Sequence, residues 1–201
     1  QGGLYGPSGA YPDGNYDGLR YSEVDISLSA GLGAVIAFNK NTILEDSTTE
    51  GLSAVRHSNG IDFWVVTHDI RNNHYLSYLI TSTGVNLTPV ISASGPNVFV
   101  NEINYGKGAN GIIKISPDGR KIAATHFGYQ DLFGIFTNKD LVISDFNTST
   151  GIVSNSLTIP VTTTIKSDGP YGIEFSNCSE YLYATESAVD TLGLRAWPIE
   201  A

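Results

Sequence analysis

The 201-residue sequence has no methionine and starts at Gln1, which is not expected of a primary translation product; a segment of a longer chain is expected instead. A single cysteine, Cys178, excludes an internal disulfide and any metal or redox motif built on paired thiols. No run of about 18 apolar residues is present, so no membrane-spanning helix is expected, and no signal-peptide pattern opens the sequence. Basic residues are scarce. Eleven Lys and Arg stand against 20 Asp and Glu, and the net charge of −9 excludes an electrostatic grip on nucleic-acid phosphates or anionic lipid. Charged residues make up only 15 % of the chain, too few for long helices held by side-chain ion pairs. What is plentiful points the other way: 41 % apolar residues suffice for a core, and 22 Gly with 11 Tyr favour short strands and tight turns. The class expected is all-β.

Self-similarity organises the chain. Leu52 to His68 reads LSAVRHSNGIDFWVVTH, Gly111 to His126 reads GIIKISPDGRKIAATH, and Tyr171 to Glu186 reads YGIEFSNCSEYLYATE. Each is a strand, a turn and a strand, with the turns SNGID, SPDGR and SNCSE supplying hairpin chemistry. The closing threonines Thr67, Thr125 and Thr185 lie 58 and 60 residues apart. That period suits a generous four-stranded propeller blade. A second pair of strands completes each unit: Tyr75 to Ile91 and Asp140 to Val161 both read strand, TSTG turn, strand. Leu19–Leu28 and Gly33–Phe38 are expected to be the third and fourth strands of an earlier unit. The expected organisation is therefore a partial blade at 1–44, full blades at 45–104 and 105–165, and an incomplete blade at 166–201. A propeller closes with about four to eight blades, so these three and a half are expected to be joined by further blades of the same or another chain.

The motifs GLRYSEVDISLSAGLGAV, LSAVRHSNGIDFWVVTHD, GVNLTPVISASG, IKISPDGRKIAATH, FNTSTGIVSN and YGIEFS occur in that order. Over roughly residues 18 to 187 the chain resembles the YVTN/WD-type propeller region of large secreted, gliding-motility-associated proteins of the type IX secretion route. The resemblance implies a seven-bladed ring, export and placement at the bacterial cell surface, and it brings no defined enzymatic activity. The sorting domain typical of that family is not in this sequence.

Candidate site residues follow from the repeat. His68, His126 and Glu186 come directly after the three threonines, at the rim where loops between blades gather, and three titratable groups at one repeat position suit a ligand site or a metal. Strand capping through loop backbone is the plainer alternative. Arg56, Lys114 and Glu174 each precede an aligned serine (Ser58, Ser116, Ser176) by two residues and fall on innermost strands, where a Lys/Glu pair between neighbouring blades or contact with a ligand at the channel mouth is expected. Asp13, Asn15, Asp17 and Gly18 have calcium-loop spacing, although the twelfth position is Val24 instead of an acid, so calcium is the one cofactor the sequence offers. Trp64, Tyr75, Tyr78, Tyr105, Tyr129 and Tyr171 are expected to serve as interblade packing and loop anchors, with a sugar-stacking platform as the alternative. Asp46-Ser47-Thr48 and Asp190-Thr191-Leu192 match a short O-glycosylation acceptor. No nucleophile elbow, P-loop, zincin or dinucleotide motif appears. The function expected is a non-enzymatic binding, adhesion or structural module whose partner is a protein or glycan at the cell surface. A lactonase-like or glycan-acting hydrolase with its site at the channel mouth is the alternative.

Overall fold

A computed structural model describes residues 18–97, 111–126, 129–130, 136–137, 140–160, 167–188 and 193–198. The described chain is a succession of antiparallel sheets. β1 (Leu19–Tyr21) pairs with β4 (Thr42–Glu45), and inside that pair β2 (Val24–Asp25) pairs with β3 (Ala34–Val35). The expected partnership of 19–28 with 33–38 is thus an interrupted hairpin whose returning arm runs on to Glu45. A side chain interrupts it: Ser22 Oγ accepts from Asn41 N at 2.9 Å and takes that donor from the ladder. Glu23 keeps the arms together there, its N donating to Asn39 O and its O accepting from Ile36 N, both at 2.9 Å, while its Oε2 accepts from Asn39 Nδ2 at 2.6 Å.

Blade A contains β5 (Ser53–Arg56), β6 (Phe63–His68), β7 (His74–Thr81), β8 (Gly84–Val85) and β9 (Val90–Ala93). β8 and β9 both pair with β7, at opposite ends of it, and together form one outer strand. The break between them has a local cause. Asn86 turns its Oδ1 onto Thr88 N at 3.1 Å, and Pro89 has no N–H for the ladder.

Blade B is β10 (Ile113–Ile115), β11 (Lys121–Thr125), β14 (Asp140–Asn147) and β15 (Ile152–Pro160), in that spatial order, with the two-residue pair β12 (Tyr129–Gln130) and β13 (Phe136–Thr137) between its second and third strands. Its outer strand carries a bulge where the register shifts between Ile143 and Asp145. The residue that absorbs it is Asn155, at φ 51°. Blade C contributes β16 (Ser167–Phe175), β17 (Tyr181–Ala188) and β18 (Gly193–Pro198).

Blades pack face to face. From β11, Ile122 and Ala124 join Trp64, Val66 and Tyr75 of blade A in one buried cluster. Ala123, on the opposite face, joins Leu141 and the blade C residues Ile173, Phe175, Leu182 and Ala184 in a second. A strand buried on both faces reads as a continuous apolar run, which is why KIAAT lacks the alternation of an exposed strand. The expected interblade role of the aromatics holds for Trp64 and Tyr75, which are 4 % and 1 % exposed in the A–B cluster, whereas the buried Tyr78 donates its hydroxyl to Leu44 O of β4 at 3.2 Å. Trp64 Nε1 also donates to Thr148 O of blade B at 2.8 Å. Tyr105 and the side chain of Tyr129 lie outside the described residues.

Candidate functional site

The hydrogen bonds that close the first turn of each blade run from His57 N to Asp62 O, Ser116 N to Lys121 O and Ser176 N to Tyr181 O. The equivalent residues are therefore His57, Ser116 and Ser176, one position earlier in blade A than an alignment on Ser58 implies. Gly60, Gly119 and Ser179 occupy the same left-handed corner, at φ 74°, 75° and 61°.

This one-residue offset decides where the candidate residues meet. With side chains alternating across a strand, Arg56 shares its position with Ile115 and Phe175, not with Lys114 and Glu174. It stays within its own hairpin, donating to Gly60 O at 2.9 Å and lying 5.4 Å from the Phe63 ring centre. Val55 holds the position of Lys114 and packs against the A–B cluster. Lys114 and Glu174 do form an ion pair between neighbouring inner strands, 2.9 Å apart, with side chains 39 % and 65 % exposed.

The same offset brings His68 and His126 together. Had they been true repeats, they would point the same way from successive blades. Instead His68 projects from the face of blade A that meets blade B, and His126 from the facing surface of blade B. Their ring centres are 5.5 Å apart, edge to face, and the Tyr75 ring also meets His68 edge to face at 4.6 Å. Both histidines are buried, 1 % and 5 % exposed. Burial pushes the His68 imidazole down to about 4 against the bond to the Asp69 carbonyl, and burial with the neighbouring His68 pushes His126 down to about 3. The Asp69 carbonyl, 2.8 Å from His68 Nδ1, only accepts, so Nδ1 carries the proton. Asp69 itself is held by Arg71 Nε at 2.9 Å and Asn72 Nδ2 at 2.9 Å, and these bonds keep its carboxyl ionised although its burial works the other way. Arg71 reaches on to Glu45 at 2.9 Å, clamping the loop after β6 to the β1–β4 hairpin. Glu186, in register with His126, lies in β17 opposite Pro170 and Gly193.

The threonines close each inner strand. Thr67 Oγ1 donates to Gly51 O at 3.0 Å, Thr125 Oγ1 crosses to blade C and donates to Tyr171 O at 2.8 Å, and Thr185 Oγ1 accepts from Gly172 N at 3.0 Å. Glu50 ties three blades at this rim: its Oε1 accepts from Gly111 N at 3.1 Å and from the Tyr171 hydroxyl at 3.0 Å.

At the opposite rim the first turns of blades B and C frame a cleft of about 770 Å³. Asp118, Arg120 and Lys121 form one wall, Cys178, Ser179 and Glu180 the other, and the β14–β15 hairpin closes it with Asp145 and Phe146. Asp118 N donates to Ser179 Oγ at 3.2 Å, so the walls are joined at their base. Nothing in the repeat singled this region out, because its parts come from turns read individually as loop closures. Their shared position along successive blades was the available signal.

Three other expectations can be placed. Ser47, in the Asp46-Ser47-Thr48 acceptor, is 6 % exposed with its carbonyl bonded to Ile70 N, so its hydroxyl is not open to a glycosyl donor. Asp190-Thr191-Leu192 and the calcium candidates Asp13, Asn15 and Asp17 lie outside the described residues. Among the described residues no group of three or more His, Cys, Asp or Glu is placed to hold a metal ion, and no helix is long and apolar enough to cross a membrane.

Antiparallel blades stacked face to face, each with its own inner strand, define a protein of the β-propeller class. A solved protein of Lactobacillus plantarum, a propeller-type fold, is similar at a TM-score of 0.52 and 13 % identity, covering 89 % of this chain and 50 % of that one. Hydrazine synthase of Kuenenia stuttgartiensis is matched at 0.37 and 13 % identity, over 66 % of this chain and 30 % of its own. The chain thus spans half or less of the length of these two solved proteins. No family model and no curated protein matches.

Proposed function

We propose that the chain is a non-enzymatic binding or scaffold module of a larger propeller, exported and displayed at the bacterial surface as the motif resemblance implies. The observation that carries this reading is the use made of the repeated polar residues. His68 and His126 are packed edge to face and neutral inside a blade interface, Lys114 and Glu174 pair across neighbouring inner strands, and Thr125 bonds from one blade to the next. Hydrolysis at this rim needs a base within reach of substrate, whereas these imidazoles are committed to packing. Rigid blades with occupied rim residues suit a surface that holds partners at its turns.

The test is to incubate the purified chain with aliphatic lactones, aryl esters and aryl glycosides, and to label intact source cells with an antibody to it. Rates equal to buffer together with surface labelling are the expected result. Turnover that disappears in His126→Ala would overturn the non-enzymatic reading, and labelling only after cell lysis would overturn the placement.

A further inference from the structure

The cleft between the turns of blades B and C has the chemistry of a ligand site, and its charges indicate which ligand. Each cation in it is already matched. Arg120 Nε donates to Asp118 Oδ2 at 2.8 Å, and Lys121 Nζ to Asp145 Oδ1 at 2.8 Å, while Asn155 Nδ2 holds the other oxygen of Asp145 at 2.7 Å. An anionic ligand would have to compete with these carboxylates and approach a chain of net charge −9. A strongly cationic one would have to displace the cations from theirs.

Fixed in this way, the charged groups act as oriented hydrogen-bonding groups. The Arg120 side chain is 81 % exposed, and its terminal nitrogens have no protein partner among the described residues. Asp118 Oδ1 already accepts from Ser116 Oγ and Arg120 N, whereas Asp118 Oδ2 and both oxygens of Asp145 accept one bond each and retain acceptor capacity. A pair of neighbouring hydroxyls matches such a surface, one donating to a carboxylate and the other accepting from the guanidinium. The volume falls within the roughly 300–1,000 Å³ of small-ligand sites.

We propose that this cleft binds a neutral oligosaccharide. The proposal rests on the binding-module reading and specifies its ligand class and its location, on the rim opposite the histidines. Calorimetric titration of the 201-residue chain with maltohexaose, cellohexaose and chitohexaose, beside hexalysine and a galacturonate hexamer, tests it. At least one neutral hexasaccharide is expected to bind at one site per chain. Arg120→Ala should weaken it about tenfold, the loss of one charge-assisted bond, and Ser154→Tyr, which fills the cleft, should abolish it. Arg120 is exposed, so its variant keeps the fold; circular dichroism and thermal melting check both variants.

The proposal is overturned if no neutral sugar binds at millimolar concentration, if both variants bind as tightly as the parent chain, or if only hexalysine or the galacturonate hexamer binds. None of these outcomes touches the non-enzymatic reading, which fails separately on turnover.

Discussion

His68 and His126 give the molecule a pH dependence whose sign follows from their burial. Unfolded, each titrates near 6.5; folded, they are held at about 4 and about 3. Above pH 6.5 both states carry neutral imidazoles and the full stability is present. Below it the unfolded chain takes up protons that the folded chain refuses, so stability falls until the folded values are reached. For His68 the loss amounts to about 3 kcal/mol at most. Urea denaturation at intervals from pH 7 to 4 should show this decline before the depressed carboxylates of Asp69, Asp118 and Asp145 titrate. His126→Gln, which cannot be protonated, should flatten the slope. An unchanged slope would mean that the imidazoles are hydrated in the folded state.

At the scale of strands and turns, one sequence motif serves two different surroundings. The TSTG turn occurs at 81–84 and at 148–151. Gly84 sits at φ 117° with open space where a Cβ would be. Gly151 sits at φ 74°, and a Cβ there would lie 2.8 Å from the Trp64 ring. That ring is anchored by its bond to Thr148 O and cannot retreat. Gly84→Ala should therefore cost only backbone strain, about 1–3 kcal/mol, and Gly151→Ala a further 1–3 kcal/mol of overpacking. Urea midpoints would rank the two, with indole fluorescence changed only in Gly151→Ala. The turns themselves were legible in the sequence because Gly, Asn, Asp and Ser at fixed offsets specify them. The register was not. Blade A carries one residue more than the others between its first turn and Thr67, and a slip of one residue reverses the face of every side chain. Aligning on serines and threonines consequently grouped Arg56 with Lys114, and it concealed that His68 and His126 face each other. The cleft was invisible for a related reason: three turns meet there only because the blades stack.

The stacking makes blade B the centre of the described molecule. Its strand β11 is covered by blade A through Ile122 and Ala124 and by blade C through Ala123, all three fully buried. β17 is the matching strand of blade C, and it buries Leu182 and Ala184 against blade B. Its opposite face carries Tyr181 and Tyr183 at 44 % and 38 % exposure. In an array whose units contact only their neighbours, stability is the sum of each unit and its interfaces, so a unit with two packed faces opens last. Hydrogen exchange read by mass spectrometry should find the amides of 121–125 slower than those of 181–185, although both strands are hydrogen-bonded on both sides within their sheets. Ile122→Ala, which removes about 2–5 kcal/mol of packing from the A–B interface, should raise exchange in β6 and β11 together and leave β17 less affected. Equal protection of β11 and β17 in the parent chain would show that the sheets hold themselves together independently of the faces between them. Coupled loss of protection in β6 would place the cohesion in the interface where the two histidines stand.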